Sequence, residues 1–219
     1  MPPTATGTGD CTVEAPKRYL AHATKRVVDI LVAMIALVAL SPLMALVALA
    51  VRLASGRPVI FRQERAGRRG VPFTIYKFRT MAADAEERKA HVEHLNEMCG
   101  PVFKSGRDPR VTPLGRVLRR LSLDELPQLV NVIRGDMSLV GPRPLPLDEA
   151  RACTPEQRRR EAMRPGLVCL WQVRGRSQIT SFDEWAGLDL EYVDNWSLWL
   201  DFKVLVAAIP AVLSGRGAR

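Results

Sequence analysis

The chain has 219 residues, 47% hydrophobic and 25% charged, a balance that excludes wholesale disorder and leaves room for one sizeable core plus attachments. Its formal net charge is +9, and the excess lies early: residues 17–70 carry ten Lys or Arg against Asp29 and Glu64. Basic groups gathered there suit membrane lipids with anionic headgroups or a phosphate-bearing substrate; no stacking aromatics alternate with these arginines, so nucleic acid is not expected as a partner.

Four cysteines, Cys11, Cys99, Cys153 and Cys169, form no C-x-x-C pair, which suggests neither a zinc ribbon nor a disulfide framework and points to a reducing compartment. Residues 1–16 are rich in Pro, Thr and Gly and, with the stretch up to residue 24, read as a disordered tail. The apolar run that follows begins too late and extends too far for a simple signal peptide.

Residues 30–51 carry no acidic or basic side chain. A spanning helix needs roughly 20 predominantly apolar residues, so length alone favours a crossing. Ser41-Pro42 sits at the middle of the run. Proline lacks an N–H and its ring clashes with the carbonyl four residues back, here that of Val38, so a kink or break is expected there. A kinked ordinary span stays open as the alternative, because membrane helices tolerate proline. Basic residues prefer the cytoplasmic side, and both flanks are basic, with Lys25-Arg26 before and Arg52 and Arg57 after. A straight span would put one cluster on the unfavourable side, whereas a re-entrant helix-break-helix hairpin over residues 25–53 returns both to the same side. Asp29 falls at headgroup level, where pairing with Arg26 or a later arginine gives it a structural role.

Residues 54–219 read as the soluble part. "VIF" (59–61) and "FTIYKF" (73–78) are β-branched and aromatic, and "ERAGRRGVP" between them is a connecting loop, so a β-hairpin is expected. Residues 82–98 read as a charged helix, in which His91 and His94 share a face without further ligands for a metal. Apolar residues then recur at 114, 118, 121, 126, 129, 130 and 133, a helical spacing interrupted in "RRLSLDELPQL". Pro127 is comfortable only in a first turn, so a new helix should start near Ser122 or Asp124.

That places Asp124 and Glu125 at a helix N-terminus, where two readings compete. In one, Ser122-x-x-Glu125 is a capping box and the carboxylates complement the helix dipole. In the other, free N–H groups keep Asp124 ionised for attack or for binding a cation, with Arg116, Arg119 and Arg120 supplying positive charge for phosphate oxygens. Downstream, Pro142 and Pro144 in "RGDMSLVGPRPLP" restrict the backbone around Arg143, which suits a grip on phosphate. "WQVRGRSQIT" sets Arg174 and Arg176 beside glycine in a loop, a weaker hint of anion binding. Residues 192–213 combine Tyr192, Trp196, Trp199 and Phe202 with an apolar continuation, either an interfacial amphipathic helix or a buried C-terminal one.

Taken together, "KRVVDILVAMIALVALSPLMALVAL", "VIFRQERAG", "YKFRTM", "LRRLSLDELPQLVNVIRGDMSLVGPRP", "RPGL" and "WQVRGR" resemble the bacterial sugar transferases of the monotopic polyprenyl-phosphate phosphoglycosyl transferase family. The resemblance runs from about Lys25 to the C-terminus and, with the elements above, implies a mostly helical α+β fold anchored by the re-entrant hairpin. It implies transfer of a sugar-1-phosphate from a UDP-sugar to undecaprenyl phosphate with release of UMP, at the cytoplasmic face of the bacterial inner membrane, in exopolysaccharide or other glycoconjugate synthesis. Asp124 matches the family's attacking acid, which forms an aspartyl-phosphosugar and sits against Mg2+. Glu125 matches the second acid, while Lys77, Arg119, Arg143 and Arg176 fall in motifs implied to handle phosphate, and Ser41-Pro42 matches the break in the membrane helix.

The chain departs from the family's usual "TGWAQV" at "VCLWQV" (168–173), which puts contacts near Cys169 in doubt. "GPVFKSGRDPRVT" and "WSLWLDFKVL" look more like the larger exopolysaccharide-initiating enzymes, which favours UDP-glucose or UDP-galactose as donor. The competing function is a non-catalytic peripheral membrane protein whose basic flanks bind anionic lipid and whose Asp124-Glu125 pair only caps a helix.

Overall fold

The computed structural model describes the backbone of residues 14–175 and 179–213, and the side chains of residues 20–175 and 179–210. Over the described residues the protein is mostly helical, with two two-stranded sheets and one long apolar helix at its N-terminal end.

That helix, α1 (Glu14–Ser55), begins well before Lys25, so part of the expected disordered tail is helical. The expected interruption at Ser41-Pro42 is not a gap in it: the helical backbone continues on both sides of Pro42. Ser41 Oγ donates to the Val38 carbonyl at 2.8 Å. This is the carbonyl left without a partner by the missing proline N–H, and satisfying it lets the helix carry on. By length and composition α1 is able to cross a bilayer.

Both arms of α1 rest on the rest of the protein. Ala33 joins a core with Leu129, Val132, Leu139 and Val204. Val47 and Val51 join another with Phe78 and Leu118. Between these two seats no residue from 34 to 46 is buried, and Ile35 and Val38 are 69% and 74% exposed.

Lys25 and Arg26, ahead of the apolar run, are taken up inside the protein instead of facing headgroups. Lys25 Nζ donates to Asp201 Oδ2 at 2.6 Å and to the Val140 carbonyl at 3.2 Å. Arg26 donates to the carbonyls of Val132 and Ile133 at 2.6 and 2.9 Å, covering the end of α4 (Gln128–Arg134), where orphan carbonyls need donors. Asp29 accepts from Ser138 Oγ at 2.7 Å and the Leu139 N–H at 3.2 Å, so its principal partners are not arginines.

The expected hairpin is present as β1 (Ile60–Ala66) and β2 (Pro72–Phe78), antiparallel from Ile60 opposite Phe78 to Ala66 opposite Pro72. The charged stretch 82–98 is not one helix. It breaks into turns, α2 (Lys89–Val92) and a 3-10 turn (Glu93–Leu95), because non-helical partners claim its backbone: the Ala82 N–H donates to the Arg110 carbonyl, and Arg110 Nη1 donates to the Ala85 carbonyl. Next come α3 (Pro113–Arg120) and then α4; β3 (Ser138–Val140) pairs in parallel with β4 (Gly166–Val168). Between those strands lie α5 (Leu147–Arg151), α6 (Pro155–Arg158) and a 3-10 turn (Arg159–Ala162). After β4, α7 (Leu170–Arg174) and α8 (Phe182–Asp194) precede α9 (Leu198–Leu213).

Tyr192, expected at an interface, is instead a core residue, its hydroxyl 2.6 Å from Asp201 Oδ1 and 2.9 Å from the Val140 carbonyl. Trp196 is half-buried and stacks on His22 of α1 at 4.2 Å. Trp199 and Phe202 face outward, 63% and 54% exposed, and stack on each other at 5.3 Å between ring centroids.

Candidate active site

A cleft of about 420 Å³ opens between the β1–β2 hairpin, the broken 82–95 segment, the turn after α3 and the loop after β3. Lys77, Arg119, Asp124, Glu125 and Arg143 all line it. Arg176 lies outside the described residues. Arg174 belongs to a helix, not a loop, and its guanidinium bonds both oxygens of Glu191 on the surface, at 2.6 and 2.7 Å, so it does not serve the cleft. Arg116 and Arg120 are exposed on α3 and do not line the cleft; helical spacing turns Arg119 alone toward it.

The turn that presents the two acids is built by local constraints. α3 ends at Arg120, and Ser122 adopts left-handed backbone angles (φ 55°, ψ 22°), uncommon for a residue other than glycine. The chain then makes a single 3-10 turn, Leu123–Glu125, and Pro127 opens α4. The expected new helix near Ser122 is therefore this short turn. The Ser122 side chain does not cap it, and Glu125 turns away to bond cations, so the capping-box reading fails.

Glu125 Oε1 accepts from Lys77 Nζ and from Arg143 Nη2, each at 2.9 Å. Burial alone would raise its pKa, but Arg143 and Lys77 outweigh burial and hold the carboxyl well below the usual range. Burial pulls Lys77 down against the pull of Glu125. Arg143 is driven up, since Glu125 more than offsets its desolvation.

Asp124 differs from its neighbour. It is 7% exposed, and among the described residues its carboxylate receives no hydrogen bond and lies within ion-pair distance of no basic group. Burial pushes its pKa up, opposed by Lys77, Arg119 and Arg143 and reinforced by Glu125. A three-residue turn offers little of the dipole that was expected to keep this group ionised.

Arg119 reaches the site because α3 lies close against the end of β2. A Cβ at Gly115 would stand 2.0 Å from the Thr80 carbonyl, so only glycine permits this approach. Arg119 Nε then donates to Thr80 Oγ1 at 3.0 Å. Burial lowers the pKa of Arg119, with Asp124 and Asp108 opposing.

Several lining residues were not singled out from sequence. Thr80 and Arg79 follow Lys77 in "YKFRTM". Arg79 donates to the carbonyls of Arg57, at 2.9 Å, and Ser55, tying the end of α1 to the cleft wall. The Asp108–Arg110 pair, bidentate with bonds of 2.9 and 2.7 Å, forms another wall and had a signal in the two-residue spacing of opposite charges. Trp171 offers its ring to Arg143 and Lys104 at 6.0 and 5.7 Å. Cys169 is fully buried in the core that holds Trp171, and burial pushes its thiol far up, so it is an inert packing residue.

Groups able to stabilise anions thus surround one buried carboxyl that has no partner among the described residues, an arrangement suited to binding phosphate oxygens beside a nucleophile. Sequence comparison reaches the same region of chemistry. The model of the bacterial sugar transferase family matches residues 20–215. The galactosyl transferase CpsE of Streptococcus agalactiae serotype III is 43% identical over 202 residues, 92% of this chain and 45% of CpsE. The exopolysaccharide production protein ExoY of Rhizobium meliloti is 40% identical over 205 residues, covering 92% of this chain and 90% of ExoY. The UDP-glucose:undecaprenyl-phosphate glucose-1-phosphate transferase of Caulobacter vibrioides is 42% identical over 205 residues, 90% of this chain and 72% of that protein. The chain therefore spans under half of CpsE and most of the other two, and it belongs to the bacterial sugar transferase family.

Proposed function

We propose that the protein transfers a sugar-1-phosphate from a UDP-sugar to undecaprenyl phosphate, releasing UMP, through a covalent intermediate on Asp124. The observation that carries this reading is the contrast within the acid pair: Glu125 is bound to two cations, whereas Asp124 is buried in the cleft with no partner among the described residues. The names of the Caulobacter relative and of the similar undecaprenyl-phosphate galactose phosphotransferase of Salmonella typhimurium support the donor and acceptor classes. A hexose such as glucose or galactose is the sugar we favour.

In the first step an Asp124 oxygen attacks the sugar-bearing phosphorus, the bond from that phosphorus to the bridging oxygen breaks, and UMP leaves with the electron pair. In the second, an oxygen of undecaprenyl phosphate attacks the same phosphorus and the bond to Asp124 breaks, restoring the carboxylate and leaving the sugar on a polyprenyl diphosphate. Arg119 and Arg143 neutralise the phosphate oxygens on which charge gathers. Lys77 and Arg143 fix Glu125, and Glu125 in turn fixes them.

Mg2+ fits the donor set. The described residues hold no cluster of three metal-ligating side chains, but this ion commonly takes one or two carboxylates with substrate phosphates and water, and Asp124 has free ligating capacity. When bound it would supply charge neutralisation of the diphosphate and favour the ionised form of Asp124. We further read α1 as re-entrant and α9 as interfacial, with the cleft on the cytoplasmic side. Both arms of α1 seat on the same body while its middle stays bare and apolar, which supports that reading.

Incubating the purified protein in detergent with Mg2+, undecaprenyl phosphate and each of a panel of UDP-sugars tests the proposal. UMP release coupled to label appearing in the lipid is expected. Omitting the lipid should leave labelled sugar phosphate on Asp124, and absence of both products overturns the reading.

A further inference from the structure

The loop that carries Arg143 is pinned at four successive carbonyls. The Gly166 N–H donates to Pro142 O at 2.9 Å, Arg160 Nη2 to Arg143 O at 2.7 Å, Arg65 Nη1 to Pro144 O at 3.0 Å, and the Ala66 N–H to Leu145 O at 2.9 Å. Three of these clamps come from strands or from a strand side chain. The remaining one, on Arg143 itself, comes from a guanidinium that is 4% exposed.

Arg160 is itself held on several sides. The same Nη2 donates to Asp189, which is fully buried on α8, and the rings of Phe182 and Trp185 lie 5.8 and 5.9 Å from the guanidinium carbon. A buried ion pair of this kind is weak grounds for stability, since an apolar pair of equal volume often serves a core as well or better. Its distinguishing feature is direction: it bonds the backbone of the residue whose side chain enters the cleft.

We infer that Arg160, held by Asp189, is a positioning residue for Arg143, fixing the backbone from which the Arg143 guanidinium reaches Glu125 and the substrate phosphates. This rests on the role given to Arg143 above. Proline on each side of Arg143 narrows the backbone, and the Arg160 bond selects one orientation within what remains. The link is then a chain of contacts, Asp189 to Arg160, Arg160 to the Arg143 carbonyl, and the Arg143 guanidinium to Glu125.

The test uses Arg160→Met paired with Asp189→Leu, which removes the ion pair while filling the core, alongside Arg160→Lys. With folding verified by the thermal midpoint, the paired variant should lose roughly 10- to 100-fold in kcat, as misplacement of a substrate-handling group does, and Arg160→Lys should recover part of it. In an Arg143→Ala background the same substitutions should have no further effect. Independently of turnover, the side-chain N–H resonance of Arg143, identified by its loss in Arg143→Lys, should shift and broaden in the paired variant. An equal fold-loss in both backgrounds, or an unchanged Arg143 resonance, overturns the inference. Because the resonance is read without substrate, a failure of the proposed reaction leaves this result decisive.

Discussion

Lys77 and Arg143 donate to the same oxygen of Glu125, each at 2.9 Å, although one comes from a strand and the other from a proline-bounded loop. A single carboxylate thereby joins two cations that would otherwise repel across the cleft. Glu125→Gln keeps the shape and removes the charge. Breaking a buried pair by deleting one partner costs about 3–5 kcal/mol, so this variant should unfold at distinctly lower denaturant and lose turnover. Stability within about 1 kcal/mol of the wild type would show that the shared oxygen matters little.

The depressed pKa of Glu125 fixes the sign of its pH dependence. Its contribution is present above the unfolded value of 4.5 and is lost as pH falls toward the folded value. Thermal midpoints of wild type and Glu125→Gln should therefore draw together progressively as pH falls below 4.5. Parallel curves across that range would contradict the assignment.

Asp124 has the opposite sign. Its folded pKa is raised, so its charge destabilises the native state above that value, and the penalty disappears below the unfolded value of 3.8. Asp124→Asn should abolish turnover and covalent labelling while raising the thermal midpoint at pH 7, the gain vanishing near pH 3. Such a trade of stability for function is common at reactive groups. A lower midpoint at neutral pH, or retained labelling, would argue against Asp124 as nucleophile.

The topology of α1 can be probed with an impermeant thiol reagent on spheroplasts. Cys11 and a Gly217→Cys variant should both stay unlabelled until lysis, as a re-entrant arrangement requires. Pro42→Ala should make Cys11 reactive from outside by favouring a straight span. Labelling at one end only in the unaltered helix would establish an ordinary crossing.

Trp199 and Phe202 supply a test of the proposed interfacial role of α9. Replacing both with alanine removes large exposed rings, each worth up to about 2 kcal/mol when buried in an apolar phase. Partition into liposomes should fall by an order of magnitude or more, with the thermal midpoint in detergent unchanged. Unaltered partition would mean that the pair does not meet the bilayer.

The sequence made the site more legible than the scaffold. Lys77, Arg119, Asp124, Glu125 and Arg143 were all named from their motifs and all line one cleft, because short-range spacing and ordered motifs survive folding. What was missed depended on distant partners. Nothing near Lys25 or Arg26 announces that Asp201 and the end of α4 will bind them. Tyr192 and Trp196 have the same composition as a headgroup anchor, and only tertiary placement sends one into the core. The segment 82–98 has helical composition throughout, yet Arg110 and its neighbours draw off the backbone groups that would have closed the helix.

The fusion of α1 with the fold has a practical consequence for handling the protein. Trimming α1 away to obtain a water-soluble fragment would strip the Asp201 carboxylate of its ammonium, uncover the C-terminal end of α4, and open two cores at once. Preparations lacking this segment should therefore be treated as damaged protein, not as a minimal catalyst.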